Sequence, residues 1–206
     1  MDVARPYAAV CPTLDGEVLQ VLARTTGVLT GREVAGLTGR RSHSGVLDAL
    51  HRLTEHGLVT RVELNRAYLF TLNREHLSTP AVEILMRMRA ELLRRIRGAF
   101  DSWEIAPAHV SMFGSAARGD GGTGSDIDLL VIRPGDVADD NATWRAQLAD
   151  LKDRIRRWTG NHAQIVELAD EAVIRLRKDE RSIVAALRSD AVVLYGSEIA
   201  TLLGPA

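Results

Sequence analysis

Apolar residues recur at helical spacing three times within the N-terminal part of the chain. A first helix is predicted from Leu14, and Thr30 is the predicted N-cap of a second, short helix. A third helix opens at Ser42 or Ser44 and ends before Gly57, which stands where a helix-terminating glycine belongs. The chain is therefore predicted to begin with three helices.

The period then changes from helical to extended. Two β-like runs, 58–64 and 67–72, are joined at Asn65 and Arg66, which predicts a hairpin. Three helices followed by a hairpin resemble a winged helix-turn-helix domain, over about residues 13–75. In that fold the third helix enters the major groove of DNA.

The resemblance implies a set of residues that contact duplex DNA. They are Arg40, Arg41, His43, Ser44 and Arg52 around the third helix, and Arg66 at the hairpin tip. The alternative interpretation of this module is protein interaction or dimerisation.

A long helix is predicted next, from Ser78 to about Phe100, because Ser-Thr-Pro is a helix-start pattern. Its apolar stripe consists of Leu85, Met88, Leu92, Ile96 and Ala99. The stripe predicts packing either against the chain's own domains or against a second copy, so a homodimer through this helix is one of two interpretations.

Strand-like and helical runs alternate in the second half, which predicts helices covering a sheet. Strands are predicted at 109–113, 127–132, 163–168 and 191–194. Helices are predicted from Ser115, over 142–158, over 171–187, and up to about Leu203. With the N-terminal module, the fold class is α+β.

Charge changes this picture only through its distribution. The net charge is −1, but residues 1–100 carry +4 and residues 101–206 carry −5. A basic front and an acidic back are compatible with a nucleic-acid-facing module joined to a metal-binding one. The single cysteine, Cys11, excludes an intramolecular disulfide and a cysteine-based zinc finger.

No apolar run is long enough to span a membrane, and the N-terminus lacks the apolar segment of a signal peptide. The expected location is cytoplasmic.

Candidate chemistry is concentrated in residues 113–132. A small-residue turn, Gly114-Ser115, follows one predicted strand, and Asp126 and Asp128 open the next. Side chains two residues apart on a strand point to the same face, so the two carboxylates repel each other unless a cation lies between them. Hard oxygen ligands suit Mg²⁺, with Mn²⁺ as the alternative cation. A Gly-Ser turn that opens a helix offers backbone N–H groups to phosphates.

This stretch resembles the nucleotidyltransferase superfamily typified by DNA polymerase beta, and in particular its small bacterial and archaeal members, the minimal nucleotidyltransferases. The shared wording is Gly-Ser-x-Ala-x-Gly at 114–119 and Ser-Asp-Ile-Asp-Leu at 125–129. The resemblance implies a small mixed sheet flanked by helices, and transfer of a nucleoside monophosphate from an NTP to a hydroxyl group. It also implies nucleotide binding by Gly114, Ser115, Arg118 and Ser125, with Asp126 and Asp128 as catalytic metal ligands. For Arg118 a solvated helix position, and for Ser125 a cap at the strand entry, are the alternatives.

The superfamily has a third carboxylate on the following core strand. Glu167 is the acid inside the predicted strand 163–168, so it is the candidate for this catalytic and metal-binding role. The assignment depends on strand parity. If Gln164 and Val166 face the metal instead, the site lacks its third acid.

The domains are predicted as a winged helix-turn-helix at 1–78, a connecting helix at 79–103 and a nucleotidyltransferase domain at 104–206. The leading function is Mg²⁺-dependent nucleotidyl transfer to a protein, RNA or small-molecule hydroxyl. The alternative is a DNA-binding transcriptional regulator whose nucleotidyltransferase domain senses nucleotide or is inactive.

Overall fold

The computed structural model describes residues 1–39, 42–169, 182–198 and 201. The chain divides into two compact units. One unit is Pro6–Met88, and the other combines Met1–Arg5 with Arg89–Ala206. The first five residues therefore belong to the same unit as Arg89–Ala206, and the Pro6–Met88 unit lies between them in the sequence.

The described residues of the Pro6–Met88 unit form helices and a small antiparallel sheet whose strand order is β1-β3-β2. A 3-10 helix at Pro6–Ala9 is followed by α1 (Leu14–Arg24), β1 (Leu29–Thr30), α2 (Gly31–Leu37), α3 (His43–Glu55), β2 (Val59–Leu64) and β3 (Ala67–Leu72). The three predicted helices and the predicted hairpin are confirmed as elements.

Helix α2 begins where its cap predicts. The Thr30 N–H donates to Glu33 Oε2 at 2.7 Å, and the Glu33 N–H donates to Thr30 Oγ1 at 3.2 Å. This reciprocal capping box satisfies two N–H groups that the start of a helix otherwise leaves free. It explains why a helix of only seven residues starts at Gly31.

The core of this unit lies between the helices and β3. Val18 and Leu22 of α1, Val46 and Leu50 of α3, and Phe70 of β3 are all buried in one cluster. The helical residues recur at intervals of four, so each helix presents one apolar face to the sheet. At the other end of the sheet, the hairpin turns through two residues with positive φ, Asn65 at 51° and Arg66 at 64°, which is the backbone of a tight two-residue turn.

Helix α4 (Thr79–Ala99) contributes side chains to both cores. Val82 is buried in the core of the Pro6–Met88 unit. Three residues of the stripe considered as a dimer seam are buried in the core of the other unit instead, namely Leu92, Ile96 and Ala99. For these three positions the homodimer interpretation is corrected, because the chain's own core uses them. Leu85 and Met88 are half-buried.

The second unit is built on a mixed sheet with strand order β6-β5-β4-β7, in which β5 and β6 are parallel and the other neighbours antiparallel. After a 3-10 helix at Phe100–Ser102, its elements are β4 (His109–Phe113), α5 (Gly114–Arg118), β5 (Ile127–Arg133), α6 (Ala142–Thr159), β6 (Ala163–Ala169), α7 (Ser182–Asp190) and β7 (Val192–Gly196). The four predicted strands are confirmed, the last shifted by one residue at its start. Of the predicted helix 171–187, residues 171–181 lie outside the described residues, as does most of the predicted C-terminal helix.

The two faces of the sheet are covered by different helices. Ile127, Leu129 and Val131 of β5 pack in the same cluster as Trp144 and Leu148 of α6. Leu130 and Ile132, which alternate with them, pack with Phe113 of β4 and with Val184 and Leu187 of α7. Alternation along β5 therefore assigns every residue of the strand to a face. No helix in the described part of the chain is both long and apolar enough to cross a bilayer.

Candidate nucleotide and metal site

The turn between β4 and α5 lies against a carboxylate of the neighbouring strand. Gly114 has φ of 68°, and a Cβ atom at this position would lie 2.7 Å from Asp128 Oδ2. Only glycine fits both the left-handed backbone and the close approach. The turn that carries Ser115 is thereby held next to Asp128.

The two aspartates lie at the start of β5, and so at the same end of the sheet's strands. Asp126 directly precedes β5, and Asp128 is the second residue of the strand. Gln164 is the register partner of Asp128 on β6, and its Nε2 donates to Asp126 Oδ2 at 3.2 Å. Both carboxylates are half-buried. Burial raises the pKa of Asp128 above its usual range, and the charge of Asp126 raises it further.

Ser115 and Ser125 face the same short stretch of loop. A methyl group at Gly121 would lie 3.0 Å from Ser115 Oγ and 3.2 Å from Ser125 Oγ. The Gly122 N–H donates to Ser125 Oγ at 2.9 Å. The Ser125 hydroxyl thus closes the loop that leads to Asp126, while the Ser115 hydroxyl lies beside the loop backbone.

Arg118 lies at the end of α5 and is held by two carboxylates. Its Nε donates to Asp120 at 2.9 Å and its guanidinium donates to Asp190 at 3.2 Å. Hydrogen bonds to these two acids raise its pKa. Arg118 is therefore engaged within the protein, although its side chain is exposed.

Two residues that position this site were missed from the sequence. Asn161 is buried, and its Nδ2 donates to the carbonyls of Met1 at 3.0 Å and Ser125 at 2.8 Å. Arg89 donates to the carbonyls of Ala116 at 2.9 Å and Ala117 at 2.8 Å, near the end of α5. Their partners are distant along the chain, so no local pattern signals either role.

Glu167 does not join the aspartates. In the parallel pair of β5 and β6, Asp128 is level with Gln164, and Glu167 is level with Val131. Because side chains alternate along a strand, Glu167 lies on the opposite face of the sheet from Asp128. The expectation of a third metal ligand at Glu167 is corrected by this parity.

On that opposite face, three donors hold the Glu167 carboxylate. Arg133 Nε and Trp144 Nε1 each donate to Oε1 at 3.0 Å, and Arg145 donates to Oε2 at 2.9 Å. The negative charge of Glu167, whose neighbours along the strand are apolar, is thus compensated by two arginines and an indole N–H rather than by a metal.

The donor set at Asp126 and Asp128 fits one divalent cation with two protein carboxylates. Mg²⁺ is commonly held by one or two carboxylates, with waters and substrate phosphates completing its shell. Burial and the neighbouring charge of Asp126 both raise the pKa of Asp128, and a bound cation would offset both effects. Within the described ranges, no group of three or more His, Cys, Asp or Glu side chains is arranged to hold a metal.

The DNA-contact candidates lie in the Pro6–Met88 unit. His43 and Ser44 are exposed at the start of α3, and Arg66 is exposed at the hairpin turn. Arg52 forms a 2.7 Å ion pair with Asp15 of α1. Arg40 and Arg41 lie outside the described residues.

Residues 93–193 match a family model described as a nucleotidyltransferase domain. The match spans just under half of the chain and includes the Gly-Ser turn and both aspartates. The prediction of a nucleotidyltransferase domain in this part of the chain is confirmed. No protein of curated function matches.

Two solved structures are similar to about half of this chain. A crystal structure described as a toxin-antitoxin with AMP-PNP has 19% sequence identity and a TM-score of 0.35, and the likeness covers 52% of this chain and 75% of that one. A mutant of the toxin-antitoxin MntA-HpeT has 15% identity and a TM-score of 0.36 over the same shares. Identities and TM-scores of this size assign no function to this chain.

Proposed function

We propose that this protein transfers a nucleoside monophosphate from an NTP to a hydroxyl acceptor. The observation that carries the proposal is the contact between the Gly114 turn and Asp128. It brings a phosphate-binding type of turn, with the Ser115 hydroxyl, beside two carboxylates that form no ion pair with the residues that the structure describes. The nucleotidyltransferase match over residues 93–193 supports the reaction class.

In the proposed reaction, the acceptor oxygen attacks the α-phosphorus in line with the leaving group. A new bond forms between that oxygen and the α-phosphorus, the bond to the β-phosphate bridging oxygen breaks, and pyrophosphate leaves. The acceptor proton passes to solvent or to a nearby base. Asp126 and Asp128 would hold Mg²⁺ or Mn²⁺, which when bound screens the triphosphate charge and polarises the α-phosphate. Gly114 gives the triphosphate access to the backbone, and Ser115 donates to it.

The test replaces each carboxylate by its amide isostere. We expect Asp126→Asn and Asp128→Asn each to lose more than about 100-fold in transfer, because residues that merely support metal ligands already cost 10–100-fold. The measurement is pyrophosphate release with each NTP and Mg²⁺, together with labelled NTP in a cell lysate resolved into protein and RNA products.

Asp140→Asn is the matched control, because it makes the same charge change on an exposed loop. Without metal, the thermal midpoint of Asp128→Asn should hold or rise, because folding raises the pKa of Asp128 and so disfavours its charged form. Undiminished transfer in both site variants would refute the metal-site assignment.

A second candidate function is favoured by the parity of β6. With Glu167 on the other face, the described residues supply two carboxylates to the site, which suits a regulator whose nucleotidyltransferase domain binds nucleotide without turnover. Pyrophosphate release separates the two candidates. Nucleotide binding without any release, in the presence of Mg²⁺ and the lysate, would favour the regulator.

We also propose that the Pro6–Met88 unit binds duplex DNA as a winged helix-turn-helix. The supporting observation is the exposure of His43 and Ser44 at the start of α3 and of Arg66 at the hairpin tip. Arg66→Ala in the full chain should weaken binding on any sequence and lower the salt slope by about one unit per lost phosphate contact.

The control for this prediction is Arg24→Ala, which removes an exposed arginine at the end of α1. Fluorescence anisotropy at several salt concentrations measures both variants. No binding by the full chain at low salt would instead favour the protein-interaction interpretation of this unit.

A further inference from the structure

The residues of β6 that face the two aspartates contain no acid. Register partners in a parallel pair share a face, and Asp128, Leu130 and Ile132 of β5 are level with Gln164, Val166 and Leu168 of β6. Of these three β6 residues, Gln164 is the polar one. It stands level with Asp128 and therefore faces the proposed cation.

The Gln164 amide is already used within the site. Its Nε2 donates to Asp126 Oδ2 at 3.2 Å. An ionised carboxylate only accepts hydrogen bonds, so the nitrogen of the amide must be the group that points at Asp126. This hydrogen bond occupies an oxygen that would otherwise be open to a cation.

The acid nearest along the strand cannot take the place of Gln164. Glu167 lies on the other face, where Arg133, Trp144 and Arg145 hold both of its oxygens. Rotating it toward Asp128 would break three hydrogen bonds and turn a strand residue through the sheet. Among the described residues of β6, the side chain facing the site is thus neutral.

We propose that Gln164 is a positioning residue that sets the charge and the cation affinity of this site. Its amide lies level with Asp128, restrains Asp126 by hydrogen bonding, and adds no negative charge on the β6 side of the site. The inference rests on the proposed function, since it concerns the same cation site. It implies that the site binds a divalent cation loosely unless the triphosphate of the nucleotide supplies further oxygen ligands.

The experiment titrates the full chain with Mn²⁺ alone, following free Mn²⁺ by electron paramagnetic resonance, without nucleotide. Gln164→Glu should tighten Mn²⁺ binding at least about tenfold, because the affinity of oxygen-ligand sites rises with ligand charge. Gln164→Ala should leave the affinity equal or slightly tighter, since it only releases Asp126. Ala146→Glu, which adds the same charge on the exposed side of α6, should change nothing.

Thermal midpoints supply a second readout. Without cation, Gln164→Glu should melt below Gln164→Ala, because three carboxylates then repel one another, and Mn²⁺ should reverse that order. A purely structural role for Gln164 would lower both midpoints with no such reversal.

The outcomes separate this inference from the proposed function. If wild-type binding is lost in Asp128→Asn but Gln164→Glu binds like wild type, the role of Gln164 is refuted and the metal site stands. If Gln164→Ala weakens binding more than about threefold, the hydrogen bond to Asp126 favours cation binding instead of competing with it, and the inference is overturned. If no variant binds Mn²⁺ without nucleotide, the inference is overturned, and Mn²⁺ binding in the presence of a non-hydrolysable NTP then decides whether the proposed metal site stands.

Discussion

At the scale of single residues, His109 is the histidine on which folding and pH should be most closely coupled. It is fully buried in β4, and neither ring nitrogen has a hydrogen-bond partner of ordinary geometry among the described residues. Burial lowers the pKa of His109, and a weaker interaction with the Ser197 backbone opposes the shift. The folded protein therefore favours the neutral imidazole.

The expected consequence is a loss of stability in mild acid. An unfolded histidine titrates near pH ~6.5. As pH falls below that value the unfolded chain takes up a proton that the folded chain refuses, so the free energy of unfolding decreases. His109→Leu should flatten this dependence between about pH 7 and 5, as measured by urea unfolding at several pH values. His162→Leu, at an exposed histidine of the same unit, is the control, and an unchanged slope in His109→Leu would show that His109 is not the responsible group.

Some residues of the site can be recognised from a short sequence pattern, and others cannot. Gly114, Ser115, Asp126 and Asp128 form one pattern within fifteen residues, and the structure brings that turn and those carboxylates together. Asn161 acts through the carbonyls of Met1 and Ser125, which no sequence spacing connects to it. Sequence reasoning therefore finds the groups proposed to touch the nucleotide, and misses the ones that hold them in place.

At the scale of elements, strand positions were predictable but strand parity was not. The pattern placed β6 within one residue of its observed bounds, Ala163–Ala169. Both faces of β6 carry apolar residues, since each is packed against a helix, so alternation did not mark the inward side. Only the register with β5 decides that Gln164, and not Glu167, shares a face with Asp128.

Glu167 is predicted to matter for stability and not for cation binding. Glu167→Gln keeps the shape but leaves Arg133, Trp144 and Arg145 with one charged acceptor fewer. The expected cost is about 1.5–3 kcal/mol in the free energy of unfolding, the range for hydrogen bonds to charged groups, and lower if the exposed Arg145 contributes little. The Mn²⁺ affinity should stay at the wild-type value.

Glu104→Gln provides the comparison for this prediction, because it neutralises an exposed acid of the same unit. Denaturant unfolding and Mn²⁺ titration on the same preparations give both quantities. If Glu167→Gln weakened Mn²⁺ binding and left stability unchanged, Glu167 would be a metal ligand, as the sequence predicts.

At the scale of the whole molecule, the position of a residue along the chain does not tell which of the two cores it belongs to. Val3 precedes the Pro6–Met88 unit in sequence but is buried in the core of the other unit, with Leu92 and Ile96. Its carbonyl accepts a hydrogen bond from Arg89 at 3.2 Å. The predicted boundary at residue 78 followed the end of the hairpin pattern, whereas the contacts divide the chain at residues 5 and 88. No pattern in the five N-terminal residues predicts that Val3 packs with Leu92 and Ile96.

This assignment predicts opposite effects for two buried valines. Val3→Ala and Val34→Ala each remove two methyl groups from a core, which should cost about 1–3 kcal/mol in local stability. Val3→Ala should speed hydrogen exchange in β4, β5 and α6 while α1 and α3 keep their protection. Val34→Ala should do the reverse, because Val34 belongs to the core of the Pro6–Met88 unit.

Exchange followed by mass spectrometry on the full chain reports each unit separately, which a single melting curve of a two-unit protein does not. Faster exchange of α1 and α3 in Val3→Ala, at the rate seen for Val34→Ala, would mean that the two units unfold as one, and the division at residues 5 and 88 would have no energetic meaning.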